Sequence, residues 1–324
     1  MRAIVNTAPG RLEMREWPLP EPGPGQVRVR IAACGICATI LEMIAGWERT
    51  GFPAIPGHEW SGTIDAVSPG VDEAWVGTPC VADNLLPDGG EVGFEHPGGY
   101  AEFLLTEASH VHLLPPDYPL PLATLIEPLA VAVRAEGRLR GADTSSVLIL
   151  GDGPLGLLIL MLLRREGVER IALVGGREGR LGLARELGAS PVMNYQDLDK
   201  PLVSAVMQTA RQRFSITVEA TGSVAGVHAA FHLVGEGGKV LVVGSYGKAC
   251  ADFRWNDLVV RELQLMGSNA SSGAWPEAVR IALEEPSLLR RFVTHEFPAE
   301  HFAEAFQLLV NREEDAIKVV LKWL

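Results

Sequence analysis

The segment Gly151-Asp152-Gly153-Pro154-Leu155-Gly156 constrains the fold more than any other part of the sequence. It follows a short apolar run, Val147-Leu148-Ile149-Leu150, and opens a stretch of helical composition over residues 155–165. Three glycines in the GxGxxG spacing between a strand and a helix allow a tight turn, bring backbone close to a pyrophosphate and let the helix pack closely on the strand. The helix N-terminus then faces the phosphates. By itself the spacing also fits a plain strand–helix turn. A second strand-like run, Ile171-Ala172-Leu173-Val174, completes a βαβ unit and favours the dinucleotide reading, with Gly151, Gly153, Pro154, Leu155 and Gly156 as contact residues.

The texture around this motif extends the argument. Buried-type runs at 216–218, 240–243 and 263–266 alternate with helical segments, which is the pattern of a doubly wound parallel sheet covered on both faces. Residues 1 to about 120 are instead rich in Gly and Pro, with alternating runs such as Gln26-Val27-Arg28-Val29-Arg30-Ile31, and predict a small β-barrel or sandwich. After Gly267 come an amphipathic stretch over 276–289, a strand, a helix over 299–310 and a final strand, Lys318-Val319-Val320-Leu321-Lys322. We read this tail as completing the first domain. The predicted organisation is an α/β protein with a β-rich domain, 1–128 plus 269–324, and an inserted nucleotide domain, 129–268.

At 324 residues, 47% of them hydrophobic, the chain has ample material for two cores. A formal charge of −12 argues against a nucleic-acid or anionic-membrane partner, either of which needs a basic face. No apolar run reaches the roughly 18 residues of a membrane span, and the N-terminus runs directly into a strand-like segment. Four cysteines, two of them close together at Cys34 and Cys37, make a poor disulfide framework for a chain of this size. A reduced, cytoplasmic protein acting on small molecules is expected.

Two further stretches carry metal chemistry. Cys34-Gly35-Ile36-Cys37-Ala38-Thr39 and Gly57-His58-Glu59 supply sulfur, nitrogen and oxygen donors of the kinds that zinc accepts. A catalytic zinc site uses three protein ligands and leaves the fourth position open, and Glu127, in Leu125-Ile126-Glu127-Pro128-Leu129, is the candidate third donor. Cys34 with Cys37 is an alternative thiolate pair. A lone buried cysteine is more often a small core residue, but here it coincides with His58, Glu59 and a nucleotide domain.

Selectivity between dinucleotides is read at the end of the second strand. NAD-selective sites place Asp or Glu there for the ribose hydroxyls, whereas a 2′-phosphate needs that anion removed and a cation supplied. The chain reads Val174-Gly175-Gly176-Arg177-Glu178-Gly179-Arg180, with no acid at the strand end and a guanidinium fork at Arg177. NADP is expected, with NAD as the alternative should Glu178 take the ribose.

Cys-Gly-Ile-Cys at 34–37, Gly-His-Glu at 57–59, Gly-Gly-Tyr-Ala-Glu-Phe at 98–103, Glu-Pro-Leu at 127–129, the glycine motif, Glu-Ala-Thr-Gly at 219–222 and Val-Gly-Ser at 243–245 together resemble a known family. It is the zinc-containing alcohol dehydrogenases of the medium-chain dehydrogenase/reductase superfamily, in particular the sorbitol, glucose, threonine and secondary-alcohol dehydrogenase branch. The resemblance spans the whole chain. It implies a GroES-like catalytic domain joined to a Rossmann domain, and a catalytic zinc on Cys37, His58 and Glu127 with Glu59 as an alternate ligand. It further implies that Thr39 relays the substrate hydroxyl proton, and that Gly176, Arg177, Arg180, Tyr195, Thr221, Gly244 and Ser245 line the cofactor. A homodimer or homotetramer is the family's usual assembly.

The chain also departs from the family pattern. The Asp that often follows the ligand cysteine is replaced in Ala38-Thr39-Ile40, Ser68 stands where Gly or Ala is usual, and Glu42 occupies the place of a relay histidine. The four-cysteine loop of a second, structural zinc is missing between Cys80 and Gly98, so one zinc per chain is expected and His96 reads as a loop residue. Trp47, Phe52 and Trp60 are candidate pocket residues, with core packing the competing role. The expected activity is hydride transfer between a small alcohol or polyol, or its carbonyl form, and NADP(H). The alternatives are reduction of an aldehyde or activated double bond and a catalytically silent nucleotide-binding protein.

Overall fold

The computed structural model describes residues 1–46, 49–311 and 315–323. The chain divides into two compact units, Met1–Ala130 with Ser272–Leu324, and Val131–Ser271. In the first unit the Gly- and Pro-rich sequence forms β1 (Arg2–Ala8), β2 (Arg11–Glu16), β3 (Gln26–Ile36), β4 (Glu59–Val67), β5 (Pro79–Ala82), β6 (Phe103–Glu107) and β7 (Val111–Leu113). Helices α1 (Ala38–Ile44) and α2 (Leu120–Ala123) interrupt or follow these strands, and α3 (Ile126–Gly137) begins in this unit and continues past Ala130 into the second. The β1–β2 hairpin turns through Gly10 at φ +73, a left-handed backbone that glycine adopts without strain. Strand β3 explains its own sequence. Val27, Val29 and Ile31 are buried and alternate with Arg28 and Arg30, after which Ala32 to Ile36 are covered on both faces.

The second unit contains β8 (Val147–Leu150), α4 (Pro154–Arg165), β9 (Ile171–Gly175), α5 (Glu178–Glu186), β10 (Val192–Asn194), β11 (Phe214–Glu219), β12 (Val234–Val242) and β13 (Gln264–Gly267). They form a six-stranded parallel sheet in the order β10-β9-β8-β11-β12-β13. This is the doubly wound order whose direction of winding reverses between β8 and β11, the place where such sheets bind ligands. Leu148, Leu150, Ala172, Val174 and Val240 project from the strands onto Phe231 and Leu233, and burying each large side chain contributes about 1.5–3 kcal/mol.

The chain then returns to the first unit. Helix Trp275–Glu284 buries Trp275, Ala278, Val279, Ile281 and Ala282, a helical stripe. Strands β14 (Val293–Pro298) and β15 (Lys318–Lys322) follow, giving a sheet in the order β14-β15-β3-β4-β5-β7 with β6 also on β3. A segment late in the sequence thus lies beside β3, antiparallel to it.

Candidate metal centre and dinucleotide site

The metal donors are brought together by the β3–β4 pairing. Cys37 immediately follows β3 and stands at the N-cap of α1, while His58 precedes β4 and Glu59 is its first residue. Donor atoms of Cys37, His58 and Glu59 all lie within 4.8 Å of one another, the one such grouping among the described residues. His58 is stacked on Phe94 at 4.7 Å, and its backbone carbonyl accepts from Asn84 Nδ2 at 2.7 Å. Asn84 Oδ1 in turn accepts from Trp60 Nε1 at 2.9 Å. Those contacts fix the imidazole yet leave Nδ1 buried and without a hydrogen-bond partner. The Cys37 sulfur donates to Thr39 Oγ1 at 3.6 Å, an ordinary length for a hydrogen bond involving sulfur.

Glu59 has a different occupation. Lys318 Nζ donates to both of its carboxylate oxygens, at 2.6 and 2.7 Å, and the two side chains are 3% and 1% exposed. The sheet register accounts for the pair. Val320 on β15 is opposite Gly35 on β3, which is opposite Glu59 on β4, and Lys318 shares a face with Val320. A Cβ on Gly35 would come within 2.2 Å of Glu59 Oε2, so the missing side chain is the space through which the carboxylate reaches across β3. Burial works against the Lys318 ammonium, but the Glu59 charge holds its pKa above the usual lysine value.

Glu127 sits in the first turn of α3, half-buried and outside the 4.8 Å grouping. Desolvation pushes its carboxyl up to about 8; His58 pulls it down, while Glu59 and Cys37 push it up. Burial, followed by the Glu59 charge, likewise raises the Cys37 thiol. These groups fit a divalent cation. A buried imidazole nitrogen without a hydrogen-bond partner, a thiol raised by burial and a carboxyl raised by burial are donors a divalent cation would take up, and the nearby ammonium is committed to Glu59.

Several other expectations are resolved by position. Cys34 is not part of the donor grouping. It is fully buried, and Cβ atoms on Gly57 or Gly99 would lie 2.9 Å from its sulfur, so it packs in the core. Trp60 is 2% exposed with its indole N–H satisfied, which makes it core rather than a pocket wall. Phe52 is 39% exposed and lines a cavity of about 390 Å³ with Thr50, Phe94 and His96, whereas Trp47 lies outside the described residues. Glu42 is exposed on α1, one turn beyond Thr39, and His96 is a loop residue paired with Asp88 at 2.8 Å.

At the nucleotide motif, Gly151 has φ +119, and a Cβ there would lie 2.9 Å from the Ala220 backbone. Gly153 caps α4 and faces open space, Pro154 is the first helical residue and Leu155 follows it, and a Cβ on Gly156 would meet Gly151 O at 2.3 Å. The two tight glycines pack helix on strand, and the open one leaves room for a ligand at the helix N-terminus. Thr221 and Gly222, after β11, meet Gly244 and Ser245, after β12: a Cβ on Gly222 would lie 2.3 Å from Ser245 O. Both turns are tied to the buried Glu219, whose carboxylate accepts from Thr221 N, Gly222 N, the Thr221 hydroxyl and the Tyr246 hydroxyl. Beyond β9, Tyr195 lies against Gly176, Arg177 caps α5, and Arg180 is on that helix. The amides of Gly176 and Arg177 both donate to Asp152 Oδ2, each at 2.9 Å.

Sequence reasoning did not single out Lys318, Asp152, Asn84 or Phe94. Asp152 was visible inside the glycine motif, and nothing local showed where its carboxylate pointed. Lys318 could be placed only through the register of β15.

Residues 120–323 match the family model described as glucose dehydrogenase C-terminus, and residues 23–116 match the alcohol dehydrogenase GroES-like domain. The chain belongs to the zinc-containing medium-chain alcohol dehydrogenases. Its relatives include D-altritol 5-dehydrogenase of Agrobacterium fabrum, 29% identical over 94% of this chain and 95% of that protein. D-arabinitol dehydrogenase 1 of Uromyces fabae is 30% identical over 92% of this chain and 90% of that protein. The crystal structure of galactitol-1-phosphate dehydrogenase from Escherichia coli superposes with a TM-score of 0.87 at 26% identity, covering 99% of this chain and 100% of that one. This dehydrogenase is therefore an oxidoreductase that uses zinc and a nicotinamide dinucleotide. Its candidate metal donors all fall in the first unit and its candidate dinucleotide contacts all fall in the second. No helix among its described residues is long and apolar enough to cross a membrane.

Proposed function

We propose that this chain is a polyol dehydrogenase that moves a hydride between a secondary hydroxyl of a small polyol and the nicotinamide of NAD(P). The observation that carries the reading is the grouping of Cys37, His58 and Glu59 donor atoms within 4.8 Å, with His58 Nδ1 left unpartnered, in a chain whose other unit is a doubly wound sheet with a glycine-rich turn. The polyol class is taken from the relatives that act on altritol and arabinitol. Cys37, His58 and Glu127 would hold one zinc, while Lys318 retains Glu59 as a reserve ligand. Zinc, when bound, supplies a Lewis acid that polarises the substrate oxygen.

The chain's own residues do the rest. Thr39, beside Cys37, accepts the substrate hydroxyl proton and passes it outward towards Glu42 or water. Gly153 and the α4 N-terminus receive the pyrophosphate, Thr221, Gly244 and Ser245 position the nicotinamide end, and Arg177, Arg180 and Tyr195 border the adenosine. Arg177 is the group that would favour NADP. A zinc-independent reductase of double bonds would leave the buried donor group without a role. All four cysteines are free, as a cytoplasmic enzyme would keep them, and a homodimer or homotetramer is the assembly that goes with the reading.

The test combines elemental analysis with NAD(P)-linked turnover on a panel of polyols, simple alcohols and their carbonyl forms. About one zinc per chain and polyol oxidation that disappears on chelation are expected. Turnover on no polyol, or full turnover without metal, would refute the proposal.

A further inference from the structure

The end of β9 lacks the acid that a ribose-binding strand normally carries, since the chain there reads Val174-Gly175-Gly176-Arg177. The structure nonetheless places a carboxylate at that spot. It arrives from the neighbouring strand's turn: Asp152, inside the glycine motif after β8, extends sideways, and its Oδ2 accepts from Gly176 N and Arg177 N, each at 2.9 Å. Gly175 makes this reach feasible. A Cβ on Gly175 would stand 2.4 Å from Asp152 Cβ, 2.5 Å from Cγ and 2.6 Å from Oδ2, so any larger residue at the strand end would occupy the volume that Asp152 now fills. The glycine on β9 and the aspartate on the β8 turn are two halves of one arrangement.

Resting on the dehydrogenase reading above, we propose that Asp152 is the residue that discriminates between NAD and NADP, holding the adenosine corner against a 2′-phosphate. Three features lead there. Two backbone amides at the start of a helix are natural anion receptors, and here one carboxylate oxygen already occupies both. The other oxygen, Oδ1, takes no protein hydrogen bond among the described residues, which leaves an acceptor for a ribose hydroxyl, a group that can donate. A 2′-phosphate can donate almost nothing near neutral pH and would bring up to two negative charges against a fixed one. Tyr195, packed on Gly176 and 55% exposed, closes the same corner without adding charge. Arg177 works in the opposite direction. Its guanidinium attracts phosphate, so the balance between the two cofactors is set by Asp152 against Arg177.

Direct titration of the purified full-length protein with NADH and with NADPH, followed by reduced-nicotinamide fluorescence, tests the assignment without relying on turnover. Asp152→Asn keeps an oxygen to accept from the two amides and removes the charge. It should raise the affinity for NADPH relative to NADH by about tenfold, the order expected for deleting a like charge that would face the 2′-phosphate. Asp152→Ser is measured alongside, so that a folding defect in one variant leaves the other to decide. Arg177→Ala in the Asp152→Asn background should reverse the gain. A shift in the NADPH-to-NADH ratio of less than about fivefold in the folded variants, with both cofactors still bound, overturns the role of Asp152 alone. A wild-type protein that binds neither dinucleotide overturns the dehydrogenase reading together with it.

Discussion

Thr39 Oγ1 accepts from the Cys37 sulfur at 3.6 Å, and in the proposed reaction the same hydroxyl would also take the substrate proton. Valine has nearly the same shape but neither donates nor accepts. If the hydroxyl relays the proton, Thr39→Val should keep zinc and dinucleotide and lose most polyol oxidation at about pH 6–7, with the deficit narrowing towards about pH 9 as hydroxide removes the proton directly. A rate profile for Thr39→Val that follows wild type across that range would remove Thr39 from the reaction and leave Glu42 or water as the carrier. Residues of this kind were legible because they fall in short motifs: Cys37 and His58 are named by their neighbours in the sequence, and the structure sets their donor atoms side by side. Glu127 illustrates the opposite. The structure leaves it outside that grouping, at the start of a helix, and its proximity shows only in the electrostatics that raise its carboxyl.

At the scale of elements, the Glu59–Lys318 pair depends on three strands at once, β4 for the acid, β15 for the base and Gly35 on β3 for the gap between them. Removing one member leaves an uncompensated buried charge, which costs about 3–5 kcal/mol, whereas replacing both can be nearly neutral. Lys318→Met should therefore destabilise the first unit by about that amount, and adding Glu59→Gln should restore most of it. Urea unfolding followed by tryptophan fluorescence reads this unit selectively, because every tryptophan except Trp255 lies in it. A Lys318→Met protein within about 1 kcal/mol of wild type would show that the pair is not sustaining the sheet. Strands were legible in proportion to their contrast. Val147–Leu150 coincides with a buried apolar run, while β10 is a three-residue, half-buried edge and the start of β12 is hidden by Gly235, Gly237 and Gly238.

For the whole molecule, the placement of the candidate metal donors in one unit and of the candidate dinucleotide contacts in the other predicts separable losses. Cys37→Ala should abolish metal retention and turnover while dinucleotide affinity stays within about twofold of wild type, since Asp152, Arg177, Tyr195, Thr221 and Ser245 all belong to Val131–Ser271. Equilibrium titration with NADH together with elemental analysis checks both halves. A parallel loss of dinucleotide affinity would mean that the metal residues shape the nucleotide site. The change in texture near Ser146 is what suggests an inserted nucleotide domain at 129–268, because parallel strands buried on both faces and half-exposed antiparallel strands demand different residues. What no local pattern revealed was which late strand would enter which early sheet.

That late strand governs the order in which the enzyme can assemble on the ribosome. Lys318 is 259 residues downstream of the carboxylate it neutralises, and all of Val131–Ser271 is translated in between. At about 5–20 residues per second the nascent chain spends many seconds with β3 and β4 made and their neighbour absent, while the intervening unit, contiguous in sequence, has everything it needs to fold. Until β15 is synthesised, the edge of β3 that it will cover stays open and Glu59 lacks its ammonium partner. Arrival of the lysine thus closes the sheet and pairs the acid in one event, so the first unit is completed only after translation has passed Lys318.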